Sequence, residues 1–264
     1  MSETTDFYSS WLGCASFGIG SSRALAAVSP SIISPLDISD CLIWFDANNG
    51  DTVTVDSKDN SAILTWQSLG SQSNTMVPDS NGTGYYNVDT INGLNVVQFP
   101  ASNTMTWYGS IPGQEKTIFF VSKDLTDLTT ILAPFMDNIS GNATQALQIG
   151  HSYTGSNFVY VNCVNGLWCS YASDSNNPVS RVQMTSWRAT SNLGSNFVHL
   201  NTSNLTLVDN YAVGQYNENP VPYIVNRPDG SSQDVAEIVL YNRALTDEEV
   251  GLVETYLLTK WGIP

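Results

Sequence analysis

The sequence predicts an all-β protein: two antiparallel sheets stacked as a sandwich, with one short helix at the C-terminal end. Three observations lead there. From Asp37 onward, apolar runs of four to seven residues are separated by Gly, Asn, Asp and Pro, and several of them alternate as half-buried antiparallel strands do. No long helical period interrupts them before Thr246, and many strands without crossover helices mean a sandwich or a barrel. The last element alone carries helix signals at both of its ends.

Taken in order, the chain opens with residues 1–36, which differ from the rest. They are small, apolar and Gly-rich, carry Phe7, Tyr8, Trp11 and Phe17 as large groups, and end at Pro30 and Pro35. An arm with that many aromatics is costly to leave in water. It packs back on its own domain or docks on a neighbouring protein, and Phe7, Tyr8, Trp11 and Phe17 are the docking candidates. Residues 37–264 form the sandwich domain. Its clearest strands are Leu42–Phe45, Asn95–Phe99, Thr117–Val121, Phe158–Val161 and Val235–Tyr241. In the closing helix Thr246 is the cap, with Glu249 completing a capping box and Asp247 and Glu248 facing the positive end of the helix dipole. Val250, Val253, Tyr256 and Leu257 form its apolar stripe, and Gly262 stops it.

Charge narrows the function. Asp and Glu number 24 against nine Lys and Arg, giving a formal net charge of −15. Nucleic acid and anionic membrane surfaces both need clustered positive charge, so neither is an expected partner. Charged residues make up only 12% of the chain, which leaves a surface of hydroxyls and amides suited to neutral glycans or to another protein. The start is acidic where a secretory signal would be basic, so no signal peptide is recognised. The uncharged stretch from Phe7 to Ser22 is too short and polar to span a membrane. Five Asn-x-Ser/Thr sequons, at Asn81, Asn138, Asn142, Asn201 and Asn204, are what so much Asn, Ser and Thr yields by chance. Cys163 and Cys169 suit a bridge across Asn165-Gly166 or simple packing in strands.

The ending carries a resemblance. Asp234-Val-Ala-Glu-Ile-Val-Leu-Tyr-Asn-Arg-Ala-Leu-Thr-Asp-Glu-Glu-Val250, followed by Thr255-Tyr-Leu-Leu-Thr-Lys-Trp-Gly-Ile263, resembles the close of concanavalin A-like lectin/glucanase (laminin-G-like) domains. There the last strand reads IAEIIIYNRAL and the helix ends YLxxKWG. Leu42-Ile-Trp-Phe-Asp-Ala47 is similar to that family's opening strand, and Thr65-Trp66, Ile91–Phe99 and Thr117–Val121 to later segments, in the family's order. The resemblance implies a jelly roll of two antiparallel sheets, of the kind used in bacterial surface proteins and in structural proteins of phages and large viruses. Residues 122–233 match poorly, so loop sites do not carry over.

No catalytic residues are expected. A retaining glycosidase needs two carboxyl groups about 5–5.5 Å apart, and the family's Glu-x-Asp-x-x-Glu strand is missing. Asp234 and Glu237, three apart on a strand, are expected on opposite faces, and Glu248, Glu249 and Glu254 on a solvated helix. His151 and His199 show no partner. No cofactor is expected. Asp46, Asn48 and Asp51 offer oxygen ligands for Ca2+, although the same residues suit a turn after a strand. Trp44, Trp66, Trp187 and Trp261 fit core positions. Trp107, Tyr108, Trp168 and Tyr171 lie beside Gly, Asn and Ser and are the ligand-contact candidates, with loop packing as their alternative role. The leading expectation is a non-catalytic structural module of a virion (capsid-associated) or cell surface, attached to other proteins of an assembly through its arm. The alternative is a lectin-like module that binds neutral glycans; glycoside hydrolysis is a remote third.

Overall fold

The structure, a computed structural model, describes residues 34–80, 82–109, 111, 115–125, 132–137, 148–152, 158–163, 167–172, 182–190, 197–207, 221–225 and 232–264. The docking candidates Phe7, Tyr8, Trp11 and Phe17 lie outside them. Ser34, Pro35 and Leu36, placed with the arm in the sequence reading, belong to a short 3-10 turn, Pro35–Asp37, capped by the Ser34 side chain. The Tyr241 hydroxyl donates to the Pro35 carbonyl at 2.8 Å and ties that turn to the last strand.

Among the described residues the strands form two antiparallel sheets, as predicted. With strands numbered in chain order, the first sheet holds β1 (Cys41–Asp46), β5 (Tyr85–Ile91), β6 (Leu94–Phe99), β8 (Lys116–Asp124), β13 (Val182–Ala189), β14 (Phe197–Leu200), β15 (Ser203–Asn204) and β18 (Gln233–Tyr241). The second holds β2 (Val53–Val55), β3 (Ile63–Gln67), β4 (Thr75–Pro78), β7 (Met105–Gly109), β9 (Leu132–Asp137), β10 (Gln148–Ser152), β11 (Phe158–Cys163), β12 (Leu167–Ala172), β16 (Thr206–Leu207) and β17 (Val221–Val225).

Strand β18 is buried along its whole length because both of its faces are covered. One flank pairs with β8 throughout. The other flank is divided: Gln233–Val235 pair with β6, and Glu237–Tyr241 pair with β1. A bulge between Val235 and Glu237 marks the change of partner. The period of two separates the cores. On β8, Ile118 and Phe120 join Phe45, Trp66, Phe99 and Trp187 between the sheets, whereas Phe119 and Val121 face outward toward Trp44, Tyr241 and the helix.

Helix α1 (Asp247–Trp261) has the predicted ends. Thr246 and Glu249 form the capping box, and Gly262 takes a left-handed conformation, φ 63°, at the C-cap. Val250, Val253, Leu257 and Trp261 are buried on the first sheet, which seals the second core. The β5–β6 hairpin secures the helix end, since the Asn92 side-chain amide donates to the Lys260 carbonyl at 3.0 Å. Asn92 sits at φ 50°, a conformation that Asp also tolerates. Asn92→Asp should therefore keep the turn but set a carboxylate against a carbonyl at the negative end of the helix dipole, costing about 1 kcal/mol. Urea unfolding at neutral pH measures it; an unchanged midpoint would show that this contact does not hold the helix.

Candidate functional site

Polar side chains gather in three places on the outer face of the first sheet. At the first, the Glu237 carboxylate accepts from Trp44 Nε1 at 2.6 Å, Trp261 Nε1 at 2.7 Å and Lys260 Nζ at 2.7 Å. Lys260 Nζ also pairs with Asp46 at 2.8 Å. Burial pushes the Glu237 carboxyl above the usual carboxylate range, and the Lys260 ammonium opposes that push. Burial works against the Lys260 charge too, but Glu237 and Asp46 outweigh it and raise its pKa. The residues that carry the family resemblance (Trp44-Phe-Asp46, Glu237, Lys260-Trp261) thus meet in one knot that fastens α1 to β1 and β18. Every strong contact in it is internal, so the knot is a fastening and offers no open site.

At the second place, Glu254 is buried and takes hydrogen bonds from Ser186 Oγ at 2.5 Å and from His199 Nδ1 at 2.8 Å. Two expectations are corrected here. Glu254 is not on the solvated side of α1, because the helix turns it onto β13, and His199 does have a partner. The three residue types suggest nucleophilic catalysis, but the geometry does not fit it. The hydroxyl bonds the carboxylate instead of the imidazole that would have to deprotonate it, and Ser186 is fully buried.

Asp234 and Glu237 also depart from expectation. Asp234 is opposite Lys123, and Glu237 is opposite Val121. Cross-strand partners share a face, as do residues two apart on β8, so both carboxylates lie on the same face. The extra residue at the bulge shifts the alternation by one. Each carboxylate has its own partners, Asp234 being 3.6 Å from Lys123 and 3.2 Å from Gln98 Nε2. Burial pushes Asp234 up to about 6 from 3.8, and Asp89 adds to the shift. A carboxyl whose pKa is raised in the folded state stabilises less as pH rises through the interval between its unfolded and folded values. Asp234→Asn should therefore gain stability relative to the parent protein between pH 4 and pH 8, by about 1–2 kcal/mol. Urea unfolding at both pH values tests this. An Asn variant that falls behind at pH 8 would mean the Lys123 pair outweighs the burial cost.

A cavity among the described residues lies on the second sheet. It has a volume of about 220 Å³ at the β3–β4 turn and is lined by Gln67, Ser68, Ser73, Asn74 and Thr75. The turn is held on β1 by backbone pairing: Leu69 N–H donates to the Trp44 carbonyl at 2.7 Å, and Ser71 and Gln72 donate to Cys41 and Leu42 at 3.0 Å. Ser68 Oγ accepts the N–H groups of Trp44 and Gly70. Strand β4 runs antiparallel to β7 with Val77 opposite Thr106. Two residues further along, that register sets Thr75 beside Tyr108 and Asn74 beside Gly109. The Asn74 amide nitrogen is accordingly 3.1 Å from where a Gly109 Cβ would stand. Tyr108 is 68% exposed, an open aromatic ring on the strand next to the one that supplies Thr75 to the cavity wall.

The ligand candidates therefore separate. Tyr108 is exposed on β7, the strand that neighbours β4 at the cavity. Trp107 is a correction: it lies on β7, fully buried, with its ring centroid 5.6 Å from that of Phe45. Its neighbours Gly, Asn and Ser suggested a loop or strand end, and the packing role offered as its alternative is the one the structure shows. For Trp168 and Tyr171 the structure describes backbone position. Both are on β12, Trp168 opposite Asn162 and Tyr171 opposite Val159. Between β12 and β7 the sheet order places β11, β10, β9 and β17, so Trp168 and Tyr108 are five strand spacings, about 24 Å, apart across the sheet. They cannot share one small ligand. Cys163 stands opposite Leu167 and Cys169 opposite Val161.

The calcium candidates also have other roles. Asp46 pairs with Lys260 and accepts from Asn48 N–H at 3.0 Å, while Asn48 Oδ1 accepts from Asn95 N–H at 3.3 Å. Asp51 N–H donates to Asn49 Oδ1. These are the contacts of a turn. Among the described residues, no group of three or more His, Cys, Asp or Glu side chains gathers as metal ligands would.

No protein-family model matches the chain, and no curated protein matches it. Solved structures do. The botulinum neurotoxin serotype D binding domain superposes with a TM-score of 0.59 at 10% identity, over 85% of this chain and 54% of that one. The ligand binding domain of the same serotype in complex with N-acetylneuraminic acid gives 0.56 at 12% identity, over 85% and 54%. A Trypanosoma rangeli sialidase bound to 2,3-difluorosialic acid gives 0.55 at 11% identity, over 84% and 33%. The chain spans about half the length of the neurotoxin domains and a third of the sialidase. What it shares with all three is the β-sandwich fold.

Proposed function

We propose that this chain is a non-catalytic, lectin-like module that binds carbohydrate at the β3–β4 cavity, with Tyr108 as the aromatic platform. The observation that carries the proposal is a cavity lined by neutral donors and acceptors, with the exposed Tyr108 ring on the neighbouring strand. The C–H faces of a sugar pack on an aromatic ring while its hydroxyls meet amides and hydroxyls, and ligand sites combine an apolar surface with a few placed polar groups in this way. Support comes from solved structures of the same fold, among them a neurotoxin binding domain and proteins in complex with N-acetylneuraminic acid or 2,3-difluorosialic acid. The C-terminal signature fits the concanavalin A-like lectin family. The outer-face carboxylate clusters around Glu237, Glu254 and Asp234 fit a non-catalytic reading, since each is engaged in internal bonds. The assembly role rested on residues 1–36, most of which lie outside the described residues, so the lectin-like alternative is now the better supported reading. A virion or cell surface is the location proposed for such a module. Among the described residues no helix is long and apolar enough to cross a membrane.

An array of defined glycans probed with the full chain is the test. The parent protein should bind a subset, and Tyr108→Ala should weaken that binding about tenfold or more without moving the thermal transition, because the ring is exposed. No bound glycan, or binding indifferent to Tyr108→Ala, would remove the proposal.

A further inference from the structure

We infer that the cavity accepts a single uncharged sugar residue and turns acidic sugars away; this rests on the carbohydrate-binding reading above and narrows it. Size argues for one residue. About 220 Å³ falls below the roughly 300–1,000 Å³ of sites that enclose a drug-sized ligand. One pyranose ring fits, and the rest of any chain stays outside.

Charge argues for neutrality. Gln67, Ser68, Ser73, Asn74 and Thr75 include no ionised group. Ser68 Oγ already accepts two backbone N–H groups, which leaves its own O–H to donate. The Asn74 amide donates to Gln72 Oε1 at 3.0 Å and keeps its carbonyl oxygen as an acceptor. A sugar hydroxyl both donates and accepts, so it matches this mixture. A carboxylate only accepts, meets the Asn74 oxygen without a proton to offer, and sheds its hydration without gaining a counter-charge.

Among the described residues, five of the six cations are committed elsewhere. Lys123, Arg188, Arg243 and Lys260 are paired with carboxylates. Lys116 is buried with its ammonium on the Ile111 carbonyl. Lys58 lies in the turn before β3, and the near end of that strand, Ile63, is about 13 Å from Gln67 at the ordinary rise per residue. The net charge of −15 adds long-range repulsion of any anion. The site is thereby distinguished from that of its fold neighbour solved with N-acetylneuraminic acid.

The experiment titrates the full chain with methyl glycosides of glucose, galactose, mannose and N-acetylglucosamine. Neutral oligosaccharides of two to four residues follow, together with the same chains ended by N-acetylneuraminic or glucuronic acid. The parent protein should bind at least one neutral monosaccharide, with affinity changing by less than about threefold as the chain lengthens, and should bind acid-ended chains about tenfold or more weakly. Tyr108→Ala should weaken the neutral binding about tenfold or more. Ser73→Lys, a change at an exposed lining position, should restore acid-ended ligands. Tyr108-dependent binding that prefers acid-ended chains would overturn the charge argument and leave the carbohydrate reading standing. Affinity that climbs about tenfold with each added residue would overturn the single-residue site. Binding that ignores Tyr108, or none at all, would take the carbohydrate reading down with the inference.

Discussion

Lys260→Met should cost the protein about 3–5 kcal/mol, the penalty for leaving buried carboxylates without their counter-charge. Lys260 is held between Glu237 at 2.7 Å and Asp46 at 2.8 Å, and the Glu237 side chain is fully buried. Methionine fills the stem's volume but cannot answer either charge. The loss should concentrate in the docking of α1, because Trp44 and Trp261 also donate to Glu237. Circular dichroism should therefore show the helix signal melting before the strand signal. The double variant Lys260→Met with Glu237→Gln should recover about half of the loss, since most of it comes from the stranded charge and not from the ion pair's net worth. A single variant as stable as the parent would mean water reaches the knot. A double variant no better than the single would mean the indole contacts, which one amide oxygen cannot both accept, hold the helix.

Gly70→Ala should be nearly as damaging, about 2–3 kcal/mol, and it should also abolish sugar binding. A Cβ there would stand 2.4 Å from the Leu42 carbonyl oxygen and 2.7 Å from Ile43 Cα. Both are backbone atoms of a buried strand, so the turn must lift. Lifting it breaks the pairing of Leu69, Ser71 and Gln72 with β1 and moves Ser68, Ser73 and Asn74 out of the cavity wall. Tyr108 is on a different strand and stays in place. The variant should therefore lose glycan binding while its Tyr108 ring remains exposed and intact, which separates the cavity's contribution from the ring's. Chemical unfolding and glycan titration of the same preparation measure both effects. Retained binding with reduced stability would show that the ring alone carries recognition.

Much of this architecture could be read from local pattern. Alternation in Thr117–Val121 and Val235–Tyr241 has a period of two whatever the rest of the chain does, and it marked strands found on β8 and β18. Thr246, Glu249 and Gly262 act within one helical turn of the ends they cap, so their meaning is local as well. Trp44, Trp66 and Trp261 were expected in the core from the family-like positions they hold and Trp187 from the strand-like stretch before it, and all four are buried.

The closed fold settled the rest, because the deciding contacts join residues remote in sequence. Trp44 and Glu237 are 193 residues apart along the chain and 2.6 Å apart in space. Composition described Glu254 as a helix-surface acid, and only its helix's rotation onto β13 shows it to be buried. One extra residue at the β18 bulge put Asp234 and Glu237 on the same face, against a strand rule that assumes unbroken alternation. Trp107 and Tyr108 looked equivalent beside Gly109, yet one fills the core and the other stands open. The cavity itself was illegible in the sequence. Its walls come from a turn whose shape depends on where β1 runs, and a cavity is a property of how segments pack, which no single segment records.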